Sequence, residues 1–171
     1  MVDVLVLNYN DCKATIKFVS QFRDYKNIRN IMIVDNCSTD NSLDELKNKC
    51  PSNCLVIKTD HNGGYGYGNN IGVKELISKK SSKHILIANP DTFIEESAID
   101  VLKCFLDSNK EYSVVSPLMK NINGEPSLNT SWRRPTKNEY IKSFGKTVMI
   151  NLKVCSQLYL SNKHHFCFFM I

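Results

Sequence analysis

The sequence predicts an α/β domain with a mostly parallel sheet flanked by helices. Short apolar runs at Val2–Leu7, Asn30–Asp35, Cys54–Lys58 and Ile85–Ala88 alternate with segments whose apolar residues recur at helical spacing. The runs are nearly continuous rather than alternating, which suits strands covered on both faces. Several of them end abruptly in polar residues: Asn8 after the first, Asp35 at the close of the second, Asn89-Pro90-Asp91 after the fourth. Ligands bind open α/β sheets at that carboxyl edge.

A chain of 171 residues suits one domain, here residues 1–171. The net charge of +5 is uneven: residues 1–132 hold 15 Lys/Arg against 16 Asp/Glu, and residues 133–171 hold 7 against 1. A basic tail of this kind suits an anionic membrane surface, a phosphorylated ligand or plain solvation. It has no recognition motif beside it, so no nucleic-acid partner is expected. No run approaches the roughly 18 apolar residues of a membrane span, and Met1 leads straight into a strand pattern. The expectation is a cytoplasmic protein. Seven cysteines at irregular positions agree with a reducing compartment, and Cys50 and Cys54 lack the second pair of a zinc site.

Val2–Leu7 reads as the first strand and Asn8–Asp11 as a polar loop. From Cys12 to Tyr25 the residues Ile16, Phe18, Val19 and Phe22 form an apolar stripe with Lys13, Lys17 and Arg23 for the wet side, predicting a helix. Asn30–Asp35 repeats the strand pattern. Asn36–Ser42 is rich in residues that cap helices, which predicts the next helix over Leu43–Lys49. Cys54–Lys58 is the third strand.

Asp60–Gly72 reads DHNGGYGYGNNIG, with Tyr65 and Tyr67 set between glycines. Glycine admits positive φ and close backbone approach. The stretch therefore predicts a loop opening a helix at Val73–Lys79, either purely structural or holding phosphate on backbone N–H groups. It lacks the G-K-[ST] of a Walker loop. A dinucleotide fingerprint belongs after the first strand, where residues 8–11 hold no glycine, so a nicotinamide-dependent oxidoreductase is excluded.

The fourth strand ends at Pro90, which cannot donate to a ladder and marks a strand end. Thr92–Ser108 predicts an amphipathic helix with Ile94, Ala98, Val101, Leu102, Phe105 and Leu106 on one face. Tyr112–Pro117 predicts another strand and Asn121–Gly124 a turn. Ser131-Trp132-Arg133-Arg134-Pro135 sets two guanidiniums beside an indole, suited to phosphate or simply to solubility. Asp91, with Asn89 two residues before it, suits a hard divalent cation, Mg2+ or Mn2+, that also grips a diphosphate. The alternative is a turn whose aspartate caps the following helix.

Together VLNYN (6–10), IVDNCSTDNS (33–42), NGGYGYGNNIG (62–72), ANPDTFI (88–94) and SWRRPT (131–136) resemble the family 2 glycosyltransferases, most closely the rhamnosyltransferase-like members that build bacterial capsule and O-antigen polysaccharides. The resemblance implies a GT-A fold, Rossmann-like, with residues 1–117 as the nucleotide-sugar-binding half and 118–171 as the start of an acceptor half. It implies that Tyr9 borders the base and Asp35 bonds the base or ribose. Asn62, Gly64 and Asn69 or Asn70 then lie along the donor. Asp91 takes the place of the last aspartate of the D-x-D motif, binding Mg2+ or Mn2+ that bridges the diphosphate, and Asn89 stands where many relatives carry the first.

The implied activity is inverting, metal-dependent transfer of a sugar, rhamnose among the candidates, from a dTDP- or UDP-linked donor to a lipid-linked or polysaccharide acceptor. The basic tail would touch the inner face of the plasma membrane. The family's catalytic base comes from an acidic pair well past the metal motif, and after Ile122 the only carboxylates are Glu125 and Glu139. The base is therefore expected beyond Ile171, so the acceptor-side half reads as incomplete. The alternative is a truncated, inactive remnant that binds nucleotide-sugar without turnover. HHFCFFMI (164–171) is expected to form an unpartnered edge strand, an aggregation risk. His164, His165 and Cys167 there imitate a metal cluster.

Overall fold

The computed structural model describes residues 1–121, 123–125 and 169–170. Four parallel strands, β1 (Val2–Asn8), β2 (Ile28–Asp35), β3 (Cys54–Lys58) and β4 (His84–Ala88), form the sheet with a short β5 (Phe169–Met170), in the order β3-β2-β1-β4-β5. β5 runs antiparallel to β4, pairing Ile87 with Phe169 and Leu86 with Met170. Phe169 and Met170 thus have a partner strand, against the expectation of an unpartnered one.

The alternation of β1 explains the layering. Val2, Val4 and Val6 enter one core with Phe18, Val19, Phe22, Leu46, Ile99, Leu102 and Leu106. Those residues come from α1 (Cys12–Ser20), the 3-10 turn Gln21–Asp24, α2 (Ser42–Lys49) and α4 (Glu96–Ser108). Leu5 enters a second core on the opposite face with Met32, Val34, Ile85, Ile87 and Leu76 of α3 (Gly64–Ser78). Both faces of the central strands β1 and β4 are covered, so their middle residues are apolar, whereas the edge strand β3 is only partly buried. On the first face Phe18, Phe22 and Tyr25 stack edge to face at 5.2 and 5.4 Å, and the Tyr25 hydroxyl donates to the Ile94 carbonyl at 2.9 Å.

Helix α3 begins about nine residues before the expected Val73. The glycines inside it are contact positions. A Cβ on Gly68 would stand 2.3 Å from Leu7 Cδ1, and one on Gly72 2.3 Å from Leu5 Cδ1 and 2.9 Å from Val34 Cγ2. Without side chains there, the helix lies down on the sheet. Of the glycines in α3, Gly64 alone, at φ +82°, uses the left-handed region.

Two further expectations are corrected. In α4 the buried residues are Ile99, Leu102 and Leu106, whereas Val101 and Phe105 are exposed at 68% and 41%. The expected apolar face was too wide by these two positions. Tyr112–Pro117 forms no strand: only an isolated bridge occurs at Val115, and the place beside β4 is taken by β5. Its Val115 side chain packs against the first core while Tyr112 and Val114 are exposed. The turn at Asn121 is present, with Gly124 N–H donating to the Asn121 carbonyl at 2.9 Å and Gly124 at φ +81°. Ser131–Pro135 and the His164, His165 and Cys167 group lie outside the described residues.

Candidate active site

The register sets the shape of the carboxyl edge. Asn8 is level with Asp35, and Asp35 with Lys58, so β1, β2 and β3 end together. β4 stops lower, because Ala88 is level with Val6. The chain then turns through Asn89-Pro90-Asp91-Thr92. The Asn89 carbonyl accepts from the Thr92 N–H at 3.3 Å and the Thr92 hydroxyl at 2.6 Å, with Pro90 at the turn position that its fixed φ favours. Asn89 is half-buried and Asp91 exposed.

Asp91 does not cap the next helix, which starts at Glu96 with Glu95 in the cap position. Its carboxyl pKa is raised, first by desolvation and then by the negative charge of Asp11, with a backbone hydrogen bond working the other way. Asp11 is itself fixed, its Oδ1 accepting from Ala14 N–H at 3.1 Å as the cap of α1. A like charge within electrostatic reach disfavours the ionised form of Asp91, and a bound cation would relieve that. Among the described residues no three His, Cys, Asp or Glu side chains gather into a metal cluster.

Beside this turn a buried polar network joins β1 to β2. Asp35 is fully buried; its Oδ1 accepts from Asn8 Nδ2 at 2.9 Å and Ser38 Oγ at 2.5 Å, and its Oδ2 from Ser38 N–H at 3.0 Å. Thr15 Oγ1 donates to Asn8 Oδ1 at 2.8 Å. Above it, Asn10 N–H donates to Ser38 Oγ at 2.9 Å and Thr39 N–H to Asn10 Oδ1 at 2.8 Å, which holds the β1 loop against the β2 loop. Tyr9, between Asn8 and Asn10, stands 45% exposed.

The β3 side is built the same way. Asn62 Oδ1 accepts from Asn36 Nδ2 at 2.8 Å and from Gly64 N–H at 3.0 Å, tying the β2 loop to the first turn of α3. Asn69 is 6% exposed and its Oδ1 has no hydrogen-bond partner among the described residues, while its neighbour Asn70 is exposed. A buried amide oxygen left without a donor is costly. Farther out, Tyr67 donates its hydroxyl to Asp60 Oδ1, which also contacts His61 Nδ1 at 3.0 Å. A concavity of about 680 Å3 lies between α1 and α2, and its Lys49 is already paired with Glu45.

Of the residues singled out in the sequence, Tyr9 and Asp35 lie on the β1 and β2 side of the edge. Asn62, Gly64, Asn69 and Asn70 lie at the start of α3, and Asn89 and Asp91 in the turn after β4. Sequence reasoning passed over Asn8, Asp11, Asn36, Ser38 and the Asp60–His61–Tyr67 group. The polar end of an otherwise apolar strand was the available signal for Asn8.

The chain resembles known proteins in both sequence and fold. It is 26% identical over 126 residues to the low-salt glycan biosynthesis hexosyltransferase Agl10 of Haloferax volcanii, a match covering 73% of this chain and 38% of that protein. The chain thus spans well under half the length of this curated relative. S. aureus TarS 1–349 superposes with a TM-score of 0.55 at 24% identity, over 75% of this chain and 38% of that one, and has also been solved in complex with UDP. The mannosyltransferase PcManGT from Pyrobaculum calidifontis, in complex with GDP-Man and Mn2+, superposes with a TM-score of 0.57 at 14% identity, over 70% of this chain and 35% of that one. The fold is GT-A. With residues 3–163 matching the family described as Glycosyl transferase family 2, the chain belongs to the family 2 glycosyltransferases.

Proposed function

We propose that this chain supplies the donor-binding part of a glycosyltransferase that moves a sugar from a nucleoside-diphosphate sugar to a glycan or lipid-linked acceptor. The observation that carries the reading is Asp91, exposed in a tight turn at the carboxyl edge next to the end of β1, where the Asn8–Asp35–Ser38 network is locked. Asp91 offers an oxygen ligand where a second carboxylate concentrates negative charge, which fits Mg2+ or Mn2+ completed by phosphate and water. When bound, such an ion neutralises charge on the departing diphosphate.

The remaining roles follow from position. Asn69 Oδ1 accepts from a donor hydroxyl, with Asn62, Gly64 and Asn70 alongside. Tyr9 borders the base, and Asp35 holds the β2 loop that faces the ribose. Asn89 shapes the turn that presents Asp91. The donor is UDP- or dTDP-linked, and a rhamnosyl group in capsule or O-antigen synthesis is the specific reading. Inversion at the anomeric carbon requires a carboxylate base beyond Asp91. The basic segment after Trp132 supports peripheral contact with the inner membrane face. The second reading is donor binding without turnover: Asp11, the carboxylate whose charge reaches Asp91, has its Oδ1 engaged in capping α1.

The test is a thermal-shift series with Mn2+ alone and with Mn2+ plus UDP, dTDP or GDP, on the wild type and on Asp91→Ala. A ligand specific to the native state adds about 2.7 kcal/mol at a hundredfold excess over its dissociation constant. Stabilisation by one nucleotide, lost in the variant, supports the reading. Unchanged Mn2+-dependent binding in Asp91→Ala overturns the metal assignment. Release of nucleoside diphosphate from UDP- or dTDP-sugars separates turnover from binding alone.

A further inference from the structure

Two aromatic rings and a carboxylate stand together on the β3 side of the edge, away from the buried network. His61 and Tyr67 have ring centroids 4.6 Å apart at 35°. The Tyr67 ring also lies against Gly63, where a Cβ would come within 2.4 Å of Tyr67 Cγ, so the glycine makes room for the ring. Asp60 Oδ1 holds both, accepting from the Tyr67 hydroxyl and contacting His61 Nδ1 at 3.0 Å. The group is no part of the core: the His61 and Asp60 side chains are 63% and 74% exposed. Two of these side chains are exposed and Tyr67 is half-buried, so holding the group in one arrangement costs conformational entropy.

The group is joined to the proposed donor site. The Asp60 carbonyl lies 3.8 Å from Cys37 Sγ, and Thr59, just before it, donates its N–H to the Asp35 carbonyl at 2.9 Å. In the order β3-β2-β1-β4, Asp91 follows one end of this row and Asp60 the other. Three strand spacings separate them, about 14 Å. A diphosphate held near Asp91 with its nucleoside extended along the edge carries the base past Tyr9 at the end of β1 toward the β3 end.

We propose that Asp60, His61 and Tyr67 form a base-recognition element: the His61 ring, backed by Tyr67 and oriented by Asp60, stacks on the nucleobase of the donor. This deepens the reading of the chain as a nucleoside-diphosphate-sugar binder and rests on it. Stacking tolerates any base, and Asp60 Oδ2, turned toward no described donor, accepts from the N–H groups of bases that carry them.

The test compares ligands with and without a base. Binding of UDP, dTDP, GDP and inorganic pyrophosphate, each with Mn2+, is measured by calorimetry on the wild type, His61→Ala, Tyr67→Phe, Tyr67→Ala and Asp91→Ala. Loss of a stacking ring weakens binding about five- to a hundredfold per base. The expected pattern is a loss in that range for the preferred nucleotide in His61→Ala and Tyr67→Ala, a smaller loss in Tyr67→Phe, and unchanged pyrophosphate binding in all three. Asp91→Ala weakens both ligand types. Equal nucleotide affinity in the wild type and His61→Ala, or a parallel loss of pyrophosphate, overturns the base-recognition element while leaving the donor-site reading standing. A wild type that binds no nucleotide overturns the donor-site reading itself. His61 is exposed enough that its replacement leaves the fold intact, which the unfolding midpoint checks.

Discussion

The side-chain amide of Asn8 donates to Asp35 Oδ1 at 2.9 Å, and through this bond the ends of two neighbouring strands share one buried carboxylate. Asp35 has its three donors from Asn8 and Ser38 and no exposure to water. Asp35→Ala leaves those donors unpaired, which is expected to cost about 2–4 kcal/mol. Urea unfolding of the variant checks this. A loss below about 1 kcal/mol would show that water replaces the carboxylate freely.

The glycines of α3 separate into two classes. Gly66 has nothing within 4 Å of a built Cβ, while Gly68 and Gly72 would meet Leu7 and Leu5 at 2.3 Å. Gly66→Ala is expected to stabilise by about 0.5–1 kcal/mol through helix propensity. Gly72→Ala gains the same propensity but forces the helix off the sheet, for a net loss of about 1–3 kcal/mol. Thermal unfolding of the two variants should move in opposite directions; movement in the same direction would refute the packing role.

Asp91 carries a pH signature. Its folded pKa is raised, so its ionisation disfavours the folded state: the contribution is favourable below the ordinary carboxylate range and is lost as pH rises through the folded value. Asp91→Asn is therefore expected to melt higher than the wild type at pH 7 without metal, with the difference vanishing near pH 3. Added Mn2+ should raise the wild-type midpoint and leave the variant unmoved. Identical midpoints at both pH values would contradict the shift.

The thiols should differ sharply in reactivity. Burial, followed by the neighbouring Cys50, pushes Cys54 up to about 12, whereas Cys104 is exposed. At pH 8 the thiolate fraction of Cys54 is about one in ten thousand. Timed alkylation with peptide mapping should label Cys104 early and Cys54 only on unfolding. Early labelling of Cys54 would place it in a different environment.

The four parallel strands were legible because each is a short apolar run, nearly continuous where both faces are buried, as in β1 and β4, and still apolar in the half-buried β3. The start of α3 was not. Gly68 and Gly72 look like loop residues until Leu5 and Leu7, more than sixty positions earlier, are set beneath them. Val101 and Phe105 repeat at helical spacing, yet the helix turns them to solvent, a matter of its rotation on the sheet rather than of its own sequence. Tyr112–Pro117 has strand composition, but the neighbouring position belongs to Phe169 and Met170. At the site, Asp91 announced itself through an apolar run ending in Pro90. The pairing of Asn8 with Asp35 spans 27 residues and the Asp60–His61–Tyr67 group depends on how α3 begins, so neither had a local signal.

The late arrival of β5 gives vectorial synthesis a waiting period. β4 is complete at Ala88, and its outer neighbour comes about eighty residues later. At the usual rate of about 5–20 residues per second, the β4 edge exists for roughly 4–16 s with its peptide groups unpaired. The parallel core can close in that time, because β1, β2 and β3 precede β4 in the chain. Until the ribosome has made Phe169 and Met170, the β4 edge with Ile85, Leu86 and Ile87 is open to addition of a foreign strand.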